Sequence, residues 1–295
     1  MMNLPRLRLL VELDRRGTMA AVADALGYTP SAISQQLALL ERETGRGLTE
    51  KAGRGLRLTD AGRLLAERGR ELIAQAESVE ADLAALEGVA GTLRIAAYQT
   101  AARNLVVPAM RALRDAHPAL DCHLADLDAE QALPLLRAAE IDVVVAEEYE
   151  HAPRPRYPDL DRHELLEDEL VLALPKGHPA ARGRGPVKLA DLAGERWATA
   201  YPGTAYADML VRTCRLRGGF EPDVRHRVND METLLELAAG GLAIVLAPSL
   251  GRPERHPGLV VRRLAGPKTS RSVFAATRKG AAKRPAVAAL LAELG

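Results

Sequence analysis

Residues 18 to 48 read TMAAVADALGYTPSAISQQLALLERETGRGL and hold two short helical patterns about one glycine-bearing break. The first pattern runs over about Met19 to Leu26. "GYTPS" interrupts it, with Thr29 as an N-cap and Pro30 at the first helical position, where its missing N–H leaves no bond unmade. In the second pattern Ile33, Leu37 and Leu40 face inward, with Ala38 beside them. A break of about four residues forces the two helices across each other, which is helix-turn-helix geometry. A globular core has no use for Ser31, Ser34, Gln35 and Gln36 at the start of the second helix. A surface that reads another molecule does.

The flanking segments extend this unit. Leu4, Leu7, Leu10, Val11 and Leu13 recur at helical spacing, and Gly17 with Thr18 marks one helix end and the next N-cap. "LTEKAGRGLRLTDAG" then places Gly53-Arg54-Gly55 at a hairpin tip, a basic wing. Thr59 caps a long helix over about residues 60 to 87. On it Leu65, Leu72, Val79 and Leu86 are spaced by seven, with Gly62, Gly69, Ala76 and Leu83 as the companion line. The stripe predicts a dimerisation seam through Leu65, Leu72, Val79, Leu83 and Leu86; a helix lying on its own domain is the competing reading.

After a short hinge at residues 88 to 92 the pattern changes. Strands such as "LRIAA", "LDCHLADL" and "IDVVVAEE" alternate with helices such as "LVVPAMRALRDAHP" and "AEQALPLLRAA". Repeated βα units predict a mostly parallel sheet covered by helices. A Pro- and charge-rich stretch separates these from a second α/β set. Two similar lobes in series form a clamshell with ligand space between them.

The 295 residues carry a net charge of +1, so no global field points to nucleic acid or membrane. A local patch must supply it, and Arg42, Arg46, Lys51, Arg54 and Arg57 do. Cys122 and Cys214 are far apart and form no CxxC, which argues against zinc or a disulfide scaffold. No HxH, HExxH, GxSxG or GxGxxG occurs, so no metal, cofactor or catalytic site is expected. Cys122 reads as filler in a buried strand. No window reaches ~18 apolar residues, so no membrane partner is expected. Charges inside the apolar run of the N-terminus argue against a signal peptide and for a cytoplasmic protein.

Residues 4 to 62 resemble the DNA-binding domain of LysR-type transcriptional regulators, through Gly17-Thr18-Met19, "TPSAISQQL", "LERETG" and "LTDAG". "HPALDCHL", "EIDVVVA", "LVLALPKGHP", "LAAGGLAIVLAPS" and "VFAATRKG" are similar to that family's effector domain, itself like periplasmic binding proteins. The resemblance covers nearly the whole chain in the family's domain order. It implies an α/β chain with an N-terminal winged helix-turn-helix (1–60), a linker and dimerisation helix (61–89) and a two-lobed, periplasmic-binding-protein-like effector domain. Lobe I spans 90–166, with 264–295 returning to it, and lobe II spans 167–263. The implied partners are a double-stranded DNA operator, a small-molecule effector and further copies of the chain, as a homodimer or homotetramer.

In such a unit the start of the second helix enters the major groove. Thr29, Ser31, Ser34, Gln35 and Gln36 are therefore the expected DNA contacts, with Arg54 of the wing tip reaching toward a minor groove. Ligands of two-lobed sheets sit at the carboxyl ends of strands. That selects Gln99 and Thr100 after the first strand, Asp126 and Asp128 after the second, Glu147 after the third, and Tyr201 and Thr204 from the opposite lobe. By the resemblance, Thr100 takes the place of an effector-binding hydroxyl. Several carboxylates in one cleft suit an amino acid or amine. The competing picture has these acids pairing with Arg154 and Arg156. The rival function is a solute-binding protein or enzyme whose winged helix serves protein contacts.

Overall fold

The structure, a computed structural model, describes residues 2–52, 55–150 and 152–295. Three helices open the chain: α1 (Leu4–Arg16), α2 (Met19–Leu26) and α3 (Pro30–Thr44). Each starts and stops by the same grammar. Asn3, Thr18 and Thr29 accept the N–H of the residue three positions on, and Gly17, Gly27 and Gly45 end the helices in the left-handed region. Leu7, Leu10, Val22, Ile33, Leu37 and Leu40 bury their side chains between them. Ala38 turns outward, one step beyond the apolar face.

Strands β1 (Thr49–Ala52) and β2 (Gly55–Leu58) pair antiparallel as the wing. The Glu41 carboxylate of α3 accepts the N–H groups of Leu48 and Thr49 and the Thr49 hydroxyl, at 2.8, 2.9 and 3.0 Å. It thereby fixes where the wing leaves the helix. Helix α4 (Asp60–Glu87) follows, capped by Thr59. Its two glycines face inward. A Cβ at Gly62 would stand 2.1 Å from the Leu48 carbonyl oxygen, and one at Gly69 would stand 2.8 Å from Leu7. These small residues serve the packing of α4 on its own domain and are no companion line of an intermolecular seam.

The larger unit contains β3 (Gly91–Ala97), α5 (Gln99–Ala101), a wide π-type turn, α6 (Val107–Ala116), β4 (Leu120–Asp126), α7 (Ala129–Arg137), β5 (Val143–Tyr149) and β6 (Leu160–Pro175). It continues through β7 (Arg196–Thr199), α8 (Ala205–Thr213), β8 (Asp223–Arg227), α9 (Met231–Ala239), β9 (Val245–Pro248), β10 (Leu259–Arg262), β11 (Ser270–Arg278) and α10 (Pro285–Leu294). Strands β4, β3 and β5 run parallel, as do β7 and β8. The expectation of a mostly parallel sheet fails at the crossovers. β6 and β11 run antiparallel to each other, β11 also to β5, and β9 and β10 antiparallel to β6. The physical reason is that the chain passes between the lobes once in each direction. β6 changes partner within itself: Leu160 to Glu169 pair with β11, and Leu170 onward with β9 and β10.

Strand β4 forms the sheet edge. Cys122 on it is half-buried, short of the full burial expected, because an edge strand is covered from fewer sides. Burial, with Asp121 nearby, raises its thiol above the ordinary range. Cys214 is fully buried and its thiol is pushed up to about 12, chiefly by burial. Both shifts disfavour the reactive thiolate.

Helix α1 docks on the larger unit through a buried ion pair. Arg137, at the end of α7, meets Glu12 at 2.5 Å and Asp159 at 2.6 Å. Arg15 and Arg137 both lie against the Tyr157 ring, 4.7 and 5.4 Å from its centroid. A cavity of about 430 Å³ lies beside this contact.

Candidate functional site

Two surfaces carry functional side chains. On α3, Ser31, Ser34 and Gln35 are exposed, while Ile33, Leu37 and Leu40 close the opposite face. Thr29 is committed as the cap of that helix, accepting the Ala32 N–H at 3.2 Å. Gln36 is half-buried and accepts from Arg6 at 2.9 Å, so it faces α1 rather than solvent. Tyr28, just before the cap, is 53% exposed, an aromatic that sequence patterning passed over. Glu41 and Glu43 are engaged by the wing and by Arg6, and exposed Arg42 and Arg46 stand beside them. Arg54 lies outside the described residues.

On α4 the apolar stripe divides. Leu65 packs half-buried against the helix-turn-helix core. Leu72, Val79 and Leu83 are exposed by 41, 57 and 60%. With half-buried Ala76 they recur at 72, 76, 79 and 83, a stripe of alternating four- and three-residue steps. The Leu86 side chain lies outside the described residues.

The second surface is a cavity of about 440 Å³ between the lobes of the larger unit. From one side it is lined by Tyr98, Gln99, Thr100, Asp128, Glu130, Gln131, Glu147, Tyr149, Arg154 and Arg271, and from the other by Ala200, Gly203, Thr204, Ala205, Tyr206, Asn229 and Met231. Arg271 forms its floor. This buried guanidinium donates to Asp168 at 2.9 Å, to the Tyr149 hydroxyl at 3.3 Å and to the Thr100 hydroxyl at 2.9 Å. Arg154 occupies the wall. It donates to Glu130 at 2.8 Å and to Glu147 at 3.4 Å. Burial raises the Glu147 carboxyl, with Arg271 and Arg154 opposing. Burial and then Glu130 and Asp126 raise the Asp128 carboxyl, with Arg154 opposing.

A helix-turn-helix with a wing, a long helix and a two-lobed α/β unit with an interlobe cavity now stand in one chain. The family model for a bacterial regulatory helix-turn-helix protein of the lysR family matches residues 4–63. The LysR substrate binding domain matches residues 86–295. The chain belongs to the LysR family. Its relatives include the DNA-binding transcriptional dual regulator OxyR of Escherichia coli, 27% identical over 293 residues, covering 96% of this chain and 92% of that one. Among solved structures, full-length OxyR from Pseudomonas aeruginosa superposes with a TM-score of 0.68 at 19% identity, covering 100% of this chain and 95% of that one. CbnR in complex with its target DNA superposes at 0.58 and 24% identity, covering 99% and 98%. This LysR-type chain is therefore a DNA-binding transcriptional regulator with an effector-binding domain, not an enzyme.

Within this LysR-type fold, five of the seven effector residues expected from sequence line the cavity: Gln99, Thr100, Asp128, Glu147 and Thr204. Asp126 and Tyr201 do not. Asp126 is exposed at the end of edge strand β4, and Tyr201 is 55% exposed beside the turn leading into α8. Four of the five already have protein partners, Glu147 through Arg154. Thr100 accepts from Arg271. Thr204 caps α8 by accepting the Ala207 N–H at 3.2 Å and donates to Tyr201 at 2.9 Å. Gln99 bridges the lobes, donating to Asp230 and accepting the Met231 N–H at 2.8 Å. The pairing of acids with Arg154 and Arg156, weighed as the competing picture, is present for Glu130, Glu147 and Glu148.

Sequence reading missed Arg271, Tyr149 and Asp168. They come from three different strands, Tyr149 at the end of β5, Asp168 within β6 and Arg271 near the start of β11, so no local pattern signals them. Among the described residues no group of three or more His, Cys, Asp or Glu side chains is placed to hold a metal ion. No described helix is long and apolar enough to cross a membrane.

Proposed function

We propose that the chain binds a pseudo-palindromic operator as a dimer or dimer of dimers, in the cytoplasm, under the control of a small molecule held in the interlobe cavity. The observation that carries the reading is the face of α3. Ser31, Ser34 and Gln35 are exposed together at the start of a helix whose opposite side is fully buried. Such a face brings short donors and acceptors to base edges, while cations and helix N–H groups hold phosphates. Thr29 orients that start as its cap and also stands close to the groove. That the CbnR neighbour of the same fold was solved with its target DNA supports DNA as the partner.

The seam through Leu72, Val79 and Leu83 supplies the dimer contact, with Leu86 continuing the repeat and Leu65 at its inner margin. A dimer sets two reading helices about one helical turn of DNA apart. The effector acts only through a difference in affinity for two subunit geometries; a few-fold preference is ~1 kcal/mol of coupling. Helix α7 has the position to carry it. Its first turn lines the cavity with Glu130 and Gln131, and its last residue, Arg137, holds Glu12 of α1. The domain division that fits is 1–60, 61–89 and the two lobes of 90–295.

A competition gel-shift with the gene's own upstream DNA tests the reading. The account expects Ser34→Ala and Gln35→Ala to flatten the preference over shuffled competitor by roughly tenfold, about 1–3 kcal/mol for a lost base contact. Unchanged preference in both variants removes α3 as the reading helix. Val79→Glu is expected to yield a smaller species in light scattering. Retention of the wild-type mass assigns the stripe to contacts within the chain.

A further inference from the structure

The interlobe cavity has an imbalance of hydrogen-bonding groups. Its two guanidiniums are largely occupied: Arg271 by Asp168, Tyr149 and Thr100, and Arg154 by Glu130, Glu147 and the Glu147 carbonyl. Its acceptors are not. The Oε2 atom of Glu147 is buried and meets no hydrogen-bond partner among the described residues, nor does the buried hydroxyl of Tyr98. Asp128 stands at the N-cap position of α7, yet its side chain accepts no capping bond.

The two orphan atoms are the sharper observation. Tyr98 is only 5% exposed, lies under Arg271 at 4.9 Å and lines the cavity. A buried polar atom without a partner costs about 1–3 kcal/mol, a cost that persists when something else is served by it. Three carboxylates face two guanidiniums here, and one of those guanidiniums is already neutralised by Asp168 behind the wall.

We infer that the effector of this regulator carries a protonated amine, which donates to Glu147 Oε2, Tyr98 and Asp128. This rests on the interlobe cavity being the effector site. An ammonium brings three donors and no acceptor, the complement of these groups. A carboxylate ligand finds the opposite. The strongest donors are committed, and Glu147, Asp128 and Glu130 repel it. The raised Glu147 carboxyl agrees with a burial that Arg271 and Arg154 only partly offset. An entering cation lowers it again.

Isothermal titration of the full chain with lysine, spermidine and benzoate tests this. The expected result is binding of at least one of the two amines, weakened about tenfold or more in Glu147→Gln, with no heat from benzoate. Asp128→Asn, at an exposed helix start, weakens it in the same direction and serves where the Glu147 variant fails to fold. A third variant, Gln131→Trp, fills the cavity mouth from an exposed position and abolishes binding. Failure of both amines to bind overturns the inference, as does binding that neither carboxylate variant alters. Benzoate binding that survives both carboxylate variants but is lost in Gln131→Trp overturns the amine and leaves the cavity as effector site. Binding indifferent to Gln131→Trp overturns the cavity reading as well.

Discussion

The two halves of this regulator are held together by different means. The DNA-reading half is a small apolar core closed by local caps. Each of its three N-cap bonds spans three residues in sequence. The effector half also has apolar cores, but its layers are tied by buried charges far apart in the chain. Arg271 reaches Thr100 across 171 residues and Asp168 across 103, and Arg278 reaches Asp142 across 136. A unit that presents one fixed face is held by its apolar core and caps, with half-buried pairs such as Arg6–Glu43 at its margin. A unit whose two lobes enclose a polar ligand must place charge at the cavity, and burying charge requires partners for each group.

The sharpest way to break this contrast is Arg271→Met. It leaves Asp168 buried without its partner, and the expected loss is about 3–5 kcal/mol, read as a lower urea midpoint for the effector half. A midpoint within error of wild type would mean the floor of the cavity is not a structural tie.

Next in size is Asp142→Asn. Burial works to raise this carboxyl. Hydrogen bonds from the Arg94 side chain and backbone, with Arg284, outweigh it and hold it below the usual range. The folded value is thus below the unfolded value of about 3.9, so its stabilisation is complete above that pH and fades as pH falls through the lower folded value. The wild type should exceed the variant by about 3 kcal/mol, steady from pH 8 to 5, with the gap closing in acid. Glu147 has the opposite sign. Its folded carboxyl is raised, so its ionisation weakens the fold as pH rises. Glu147→Gln should therefore gain on the wild type toward alkaline pH in the same titration.

The smallest effect belongs to the other half. Thr29→Ala removes one cap bond, worth about 1 kcal/mol, visible as a small drop in the melting temperature of the DNA-reading half. A loss as large as that of Arg271→Met would erase the distinction between the halves.

The same contrast explains what the sequence could show. Helix ends at Gly17 and at the Gly27 break were legible because cap, apolar period and stop signal lie within a few residues of one another. The α4 stripe was legible as a stripe but not in its assignment. Gly62 and Gly69 match a seven-residue repeat, and only the approach of Leu48 and Leu7 shows that they face inward. Gln36 looked like its neighbours Ser34 and Gln35 until Arg6, thirty residues earlier, claimed it. In the cavity, strand ends located Gln99, Thr100, Asp128 and Glu147. Asp126 and Tyr201 were misplaced because a strand end specifies a neighbourhood and not the direction of each side chain. Arg271 was out of reach altogether. Its partners come from β5, β6 and the start of α5, a meeting that depends on the antiparallel crossover and on no local pattern.

The central claim is that α3 of a paired chain reads DNA by sequence. Hydroxyl-radical footprinting on the gene's upstream region tests it most directly. The account predicts two protected half-sites with centres about 34–36 Å apart or a multiple of that. At the lowest protein concentration that saturates wild type, half-site protection should fall to about half or less with Gln35→Ala, in line with a roughly tenfold loss of preference. Protection that covers all DNA evenly, or two half-sites that persist unchanged in Gln35→Ala and Ser34→Ala, would contradict it.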